Sequence, residues 1–338
     1  MNFADYFNPY AYAIQLRRML YRQNALSSTR IGIPVISIGN LTVGGTGKTP
    51  LTLLIANHCN KVLNKEVGVV LRGYKRKTSG LLVVSDGRRI LEDVNASGDE
   101  AQLYTQELPN SIVVCDEDRI RGAKKAQELG AEIILLDDGF QHQRLKRDLN
   151  IVVIDASKPI PNVLPFGKGR ESQSALRDAD IVVLTNKTDA SPQLIDFQKT
   201  TIAANQQIDS IQVYSGGTTI ELLPTELKEK KVLILSGIGN PLHFEKSVQY
   251  YSPESVPYRL VDHVHYDFAL LEKIYEFANA NHCELILTTT KDAVKLLVLV
   301  KINTSTKKLL PIGVVHSSIH LADPEGQLFS RIKTLFRK

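Results

Sequence analysis

The apolar run Pro34-Val35-Ile36-Ser37-Ile38 leads into a turn holding Gly39, Gly44, Gly45 and Gly47, after which Lys48-Thr49-Pro50-Leu51-Thr52-Leu53-Leu54 begins a helix. No other stretch limits the fold so sharply, because strand, glycine turn and helix in that order are the frame of a phosphate-binding loop, or P-loop. Glycines let successive backbone N–H groups turn toward one phosphate, and the helix N-terminus adds partial positive charge. Thr42, Val43, Gly44, Gly45, Thr46, Gly47, Lys48 and Thr49 are therefore the expected nucleotide-phosphate contacts, with Lys48 reaching the β- and γ-phosphates and the Thr49 hydroxyl open to Mg²⁺. Pro50 falls in the first helical turn, where its missing N–H costs little. The general pattern has glycine at position 42, where this chain has Thr42. Gly44-Gly45 with Gly47 supply the freedom instead, and a chance glycine-rich turn is the plain alternative.

Further apolar runs alternate with helix-compatible segments, the pattern of a parallel sheet covered by helices. They are Glu66–Leu71, Ser111–Cys115, Glu132–Leu136, Asn150–Ile154 and Ile181–Leu184, several apolar almost throughout, as strands buried on both faces are. Ile211–Tyr214 and Ile220–Leu223 flank Gly216-Gly217 and suggest a β-ribbon. Lys231–Leu235, Glu284–Thr288 and Ile312–His316 then build a second unit. The expected fold is α/β: a P-loop NTPase-like, mostly parallel sheet flanked by helices over 31–225, with a smaller α/β domain over 226–338 that closes over the active site. The 338 residues, 43% apolar and 23% charged, are ordinary globular composition and suffice for both.

A net charge of +5 permits anionic ligands without requiring them. Cys59, Cys115 and Cys283 lack the spacing of a zinc site or a disulfide framework, which points to a reducing compartment. No apolar run approaches the ~20 residues of a membrane-spanning helix, and no signal peptide is evident. Residues 1–30 differ from the rest: Arg17, Arg18, Arg22 and Arg30 face the single acid Asp5, with Phe3, Tyr6, Phe7, Tyr10 and Tyr12 nearby. Wound as a helix after Pro9, the segment puts Tyr10, Ala13, Ile14, Leu16, Leu20 and Tyr21 on one broad side and Gln15, Arg18 and Arg22 in a polar strip. Such a helix can lie on an anionic membrane surface or pack on the domain.

The apolar strand Ile133-Ile134-Leu135-Leu136 ends in Asp137-Asp138, where P-loop enzymes place an acid that holds Mg²⁺. Taken alone, an Asp-Asp ending also reads as a turn. Asp137-Asp138-Gly139-Phe140-Gln141-His142-Gln143-Arg144-Leu145, together with Asn40 through Pro50, resembles the tetraacyldisaccharide 4′-kinase family of lipid A biosynthesis. Matching segments recur in order: Leu71-Arg72-Gly73-Tyr74, Gly98-Asp99-Glu100, Asp118-Arg119, Leu164-Pro165 through Gly169-Arg170, Gly237-Ile238-Gly239-Asn240-Pro241, Asp262-His263-Val264-His265 and Lys291-Asp292-Ala293. The resemblance implies transfer of the ATP γ-phosphate to the 4′-hydroxyl of a tetraacylated lipid A disaccharide 1-phosphate. It implies a peripheral enzyme at the cytoplasmic face of the bacterial inner membrane. Nothing in the sequence points to a nucleic-acid or protein partner.

The resemblance further implies that Asp99 is the catalytic acid–base group and His263 its partner. Glu100, Asp137 and Asp138, with Thr49, would serve Mg²⁺, and Tyr74, Arg119 and Arg170 would clamp phosphate or substrate. Each has a plainer reading. Asp99 after Ser97-Gly98 can be a helix cap, Asp262-His263 a surface pair, and Arg170-Glu171 an exposed charge cluster. A rival function comes from Asn186-Lys187-Thr188-Asp189 after the strand Ile181–Leu184. This matches the guanine-reading pattern of GTPase switches, a match that short strings also reach by chance.

Overall fold

The computed structural model describes residues 8–74, 76–187, 198–215, 217–239, 241–262, 264–302 and 310–337. They form two compact units, one of residues up to Gln206 with Ile319 onward, the other Gln207–Ser318. The first unit opens with helix α1 (Pro9–Arg22), capped by the Asn8 side chain, which accepts from the N–H groups of Tyr10 and Ala11. Then follow β1 (Val35–Gly39), α2 (Lys48–Lys61), β2 (Val67–Leu71), β3 (Leu82–Asp86), α3 (Val94–Ser97), α4 (Asp99–Glu107), β4 (Ile112–Cys115) and α5 (Arg119–Glu128). After them come β5 (Ile133–Asp137), β6 (Leu149–Asp155), β7 (Ile181–Thr185) and the start of β8 (Thr200–Ser215).

Here the strand order is β3-β4-β2-β5-β1-β6-β7-β8, parallel except for the edge strand β3. Alternate side chains serve opposite faces. Ile36, Ile38, Ile133 and Leu135 join Leu51 and Ile55 of α2 and Tyr104 of α4 in one core. Val35, Ile134 and Leu136 join Ala123 and Ala126 of α5 in another. With every residue of β1, β2 and β5 buried, a near-continuous apolar run is what such strands require.

The second unit holds the rest of β8, β9 (Thr218–Leu222), β10 (Val232–Ser236), α6 (Pro241–Gln249), β11 (Val256–Arg259), α7 (Phe268–Ala280), β12 (Leu285–Thr289), α8 (Thr290–Ile302) and most of β13 (Ile312–Ala322). Its strands β11-β10-β12-β13 are parallel, and β8 and β9 make the expected antiparallel ribbon. Leu233, Leu235 and Ile286 pack against α7 and α8, while Val232, Ile234 and Leu287 meet Val248 of α6 on the opposite face.

Where the sequence reading divides the chain near residue 225, the compact units divide inside β8 and again inside β13. The last helix, α9 (Gln327–Thr334), belongs with the first unit because Leu328 and Ile332 enter the core of α2 and Phe329 stacks on His58 at 4.0 Å. Strands β3 and β11 were not expected, and β8 is far longer than its apolar end.

Helix α1 packs through its polar strip. Arg18 is buried against Glu171, Asp178 and Phe140, Arg22 pairs with Asp178 at 2.7 Å, and Gln15 donates to Ser172 at 3.2 Å. Tyr10, Tyr12, Leu16 and Met19 are exposed. No described helix is long and apolar enough to cross a membrane.

Candidate active site

Between β1 and α2 the chain is held open. The Asn40 amide donates to the Thr46 hydroxyl at 3.1 Å, and the Thr185 hydroxyl at the end of β7 donates to the Thr46 carbonyl at 3.0 Å. Gly44 and Gly47 take φ of +115° and +91°, which a side chain would resist. Gly47 caps α2 without a side-chain bond, so the first N–H groups of that helix face outward as an anion-binding end. The loop is also tied to a distant segment: Val43 N–H donates to the Lys168 carbonyl at 2.8 Å, Arg170 N–H to the Leu41 carbonyl at 2.7 Å, and Thr42 bridges Gly169. That lacing brings Arg170 to the loop.

Because β5 lies directly beside β1, with Ile38 opposite Asp137, the two acids end next to the loop. Asp137 is buried and accepts from the Tyr104 hydroxyl at 3.1 Å. Burial above all, with the charge of Glu100 adding, pushes its carboxyl up to about 7. Asp138, half-buried at φ +51°, is the opposite case. Burial would raise it, but Lys48 at 3.5 Å and Arg170 at 2.6 Å outweigh that and hold its carboxylate below the ordinary range. Its Oδ1 atom, the one Lys48 approaches, is buried and has no hydrogen-bond partner among the described residues.

Helix α4 presents the remaining acids. Asp99 is buried in its first turn and accepts the Glu100 N–H at 3.1 Å, where the helix N-terminus favours a negative charge. Tyr104, one turn after Glu100, shares its side of the helix. Arg119, buried at the start of α5, donates to the Asp116 carbonyl at 2.8 Å, and its Nε has no hydrogen-bond partner among the described residues. Burial lowers its pKa, while Asp138 and Asp137 act against that, which puts the guanidinium in the field of both acids. Tyr74 is exposed on a loop whose backbone approaches Gly98, the residue before Asp99.

Lys48, Asp138 and Arg170 thus meet at the phosphate loop with Asp137 beside them, and Glu100 and Arg119 act on this group through their charge. An exposed Arg170–Glu171 charge cluster is not what forms: Arg170 meets Asp138, and Glu171 is buried on Arg18. His263 lies outside the described residues, as do Thr188 and Asp189 of the guanine pattern. The amide of Asn186 from that pattern donates to Asp155 at 3.1 Å. Sequence reasoning missed Tyr104, Asn40 and Thr185. Tyr104 was open to inference from its helical spacing to Glu100; Asn40 opens the segment that carries the family resemblance and Thr185 directly precedes the guanine-like string, but neither position foretells a bond to Thr46. Among the described residues no three His, Cys, Asp or Glu side chains form a ready metal cluster. An oxygen-only set of Asp137, Asp138, Glu100 and Thr49 nonetheless suits a cation that takes its other ligands from phosphates and water.

A family model described as tetraacyldisaccharide-1-P 4′-kinase matches residues 8–336. The chain belongs to this family. Tetraacyldisaccharide 4′-kinases of Anaeromyxobacter sp. and Halothermothrix orenii are 36% and 35% identical to it over 301 and 311 residues, 85% of this chain and 79% and 80% of theirs. That of Pelobacter propionicus is 35% identical over 341 residues, covering 97% of this chain and 90% of its own. The crystal structure of an "apo" form of LpxK from Aquifex aeolicus in complex with ATP superposes with a TM-score of 0.77 at 31% identity, covering 97% of this chain and 96% of that one. A 4′-kinase family member with this sheet carries the strand, glycine loop and helix of a P-loop phosphotransferase.

Proposed function

We propose that this family member transfers the γ-phosphate of ATP to the 4′-hydroxyl of a tetraacylated lipid A disaccharide 1-phosphate, the reaction for which its family is named. The observation that carries the reading is the Asp138 carboxylate, set between Lys48 and Arg170 at the foot of a phosphate loop. Phosphoryl transfer needs little covalent help from a protein and much positioning and charge neutralisation. Lys48, Arg170 and the α2 N-terminus supply positive charge to the phosphates, and Arg119 stands ready beside them. Asp99, fixed by the α4 N-terminus, accepts the proton of the attacking hydroxyl. The donors fit Mg²⁺, because Asp138 Oδ1, 3.5 Å from Lys48, is a buried acceptor without a hydrogen bond among the described residues. When bound by Thr49, Glu100, Asp137 and Asp138, that ion would offset the charge on the transferring group.

The exposed side of α1 supports a membrane-surface location, at the cytoplasmic face of the inner membrane. Tyr12, Leu16 and Met19 form one apolar stripe flanked by Arg17, and the Asn8 amide donates at 2.8 Å to the carbonyl of Leu164, an exposed residue near exposed Phe166. Leu16→Glu with Met19→Glu should lower co-sedimentation with anionic vesicles about tenfold or more while leaving the thermal midpoint unchanged. Unchanged vesicle binding would remove α1 from that role. The activity itself is tested by incubation with ATP, Mg²⁺ and the disaccharide 1-phosphate, followed by mass analysis for one added phosphate. ATP turnover without a phosphorylated acceptor would sink the assignment.

A further inference from the structure

Arg18 is chemically out of place on a helix whose outer side is apolar. The residue is 4% exposed and each guanidinium nitrogen has a partner: Nε on the Glu171 carboxylate, Nη1 on Asp178 at 2.9 Å, Nη2 donating to the Phe140 carbonyl at 3.3 Å. The cation also lies 4.2 Å from the centre of the Phe140 ring. Two of these partners border the reacting groups. Glu171 directly follows Arg170, which holds Asp138 at 2.6 Å. Phe140 lies two residues on from Asp138, which takes φ +51°, a left-handed conformation that aspartate tolerates better than most side chains.

Phe140 also reaches the start of the phosphate loop. A Cβ added to Gly39 would stand 2.5 Å from Phe140 Cβ, and the adjacent Gln141 amide donates to the Asn40 carbonyl at 2.9 Å. From the helix that offers an apolar face to the surroundings, one guanidinium therefore touches both the segment just after Asp138, Arg170's partner, and the segment carrying Arg170. We propose that Arg18 is a positioning residue for phosphoryl transfer, tying α1 to the Asp138–Arg170 pair so that seating of the helix and alignment of the site are one event. The inference rests on reading Asp138 and Arg170 as phosphate-site groups.

The physical cost of losing Arg18 falls on its partners. Glu171 is 3% exposed, and burial already raises its carboxyl above the ordinary value while Arg18 works against that rise. Without Arg18 the buried carboxylate loses its ion-pair partner, keeping the Gln141 hydrogen bond and the field of Arg147, and it shifts and carries Arg170 with it. A shift of about 1 Å at reacting groups can cost about a hundredfold in rate.

The test uses the full-length chain with acceptor in detergent micelles, measuring kcat, KM for ATP and thermal midpoint. Arg18→Met is expected to lower kcat about 10- to 100-fold with KM for ATP changed less than about threefold. Arg22→Ala, which removes the exposed partner of Asp178 on the same helix, should stay within about twofold. In an Arg170→Met background, adding Arg18→Met should cost less than about twofold, because the two act through one contact chain. A purely structural Arg18 would instead multiply the two losses, and that result, or wild-type kcat in Arg18→Met, overturns the proposal. Arg18→Lys keeps the buried charge but not the fork, and carries the same comparison if Arg18→Met does not fold. Wild-type kcat in Arg170→Met would instead overturn the site reading itself, and the proposal with it.

Discussion

Each unit buries an aspartate near a strand's carboxyl end and sets a tyrosine hydroxyl on it at 3.1 Å: Tyr104 on Asp137 in the first, Tyr266 on Asp292 in the second. The resemblance ends there. Asp292 also accepts from Gly237 N–H at 3.0 Å and the Thr289 hydroxyl at 2.8 Å, so donors from three segments close its two oxygens. Among the described residues Asp137 has beyond Tyr104 only its neighbour's N–H at 2.9 Å, sits in the field of Glu100, and is followed by Asp138, whose Oδ1 meets Lys48 at 3.5 Å without a hydrogen bond. A buried carboxylate with its donors complete is a fold element. A pair short of donors and rich in neighbouring cations is poised for a ligand.

Two substitutions should separate the regions. Asp138→Asn removes the charge between Lys48 and Arg170 and is expected to lower turnover about 10²- to 10³-fold. Its thermal midpoint should barely move, since the side chain is half-buried and its ion pairs are partly solvated. Asp292→Ala should do the reverse. Three donors lose their acceptor, for a loss of about 3 kcal/mol or more in stability by chemical denaturation, with kcat per folded molecule retained. A stable but inactive Asp292→Ala would break the comparison and make the second aspartate functional.

How far the sequence reveals this can be followed residue by residue. Fully buried strands such as β1 and β5 read directly as apolar runs bounded by turn residues, and the glycine loop showed itself through its flanks. β3 was hidden because an edge strand is only partly buried, with Leu82, Val83 and Asp86 half-covered. β11 carries Pro257 in four residues, and the first half of β8 is mostly polar and exposed, so neither gives an apolar signal. At the site, Asp137-Asp138 was legible as a motif, yet the missing hydrogen bond at Asp138 Oδ1 was not, since it depends on which donors arrive from elsewhere. Arg18 is the sharpest case. A helical wheel turns Gln15, Arg18 and Arg22 toward water, and only contacts made more than 150 residues away, at Glu171 and Asp178, turn that strip inward.

The tyrosine pair supplies the smallest and most discriminating effect. Tyr266→Phe should cost about 1 kcal/mol of stability and leave turnover unchanged. Tyr104→Phe should cost a similar amount near neutral pH but with a pH dependence set by Asp137. Burial lifts that carboxyl from 3.8 to about 7 in the folded protein, so its contribution to stability is fully present below the unfolded value and lost as pH rises through the folded one. The Tyr104 hydroxyl favours the ionised carboxylate and limits this loss. In chelator, the stability gap between wild type and Tyr104→Phe should therefore be narrow near pH 5 and widen toward pH 8, as read from denaturant midpoints at each pH. A gap that stays constant across that range would mean that Asp137 is as firmly satisfied as Asp292, and the distinction between a poised carboxylate and a closed one would be lost.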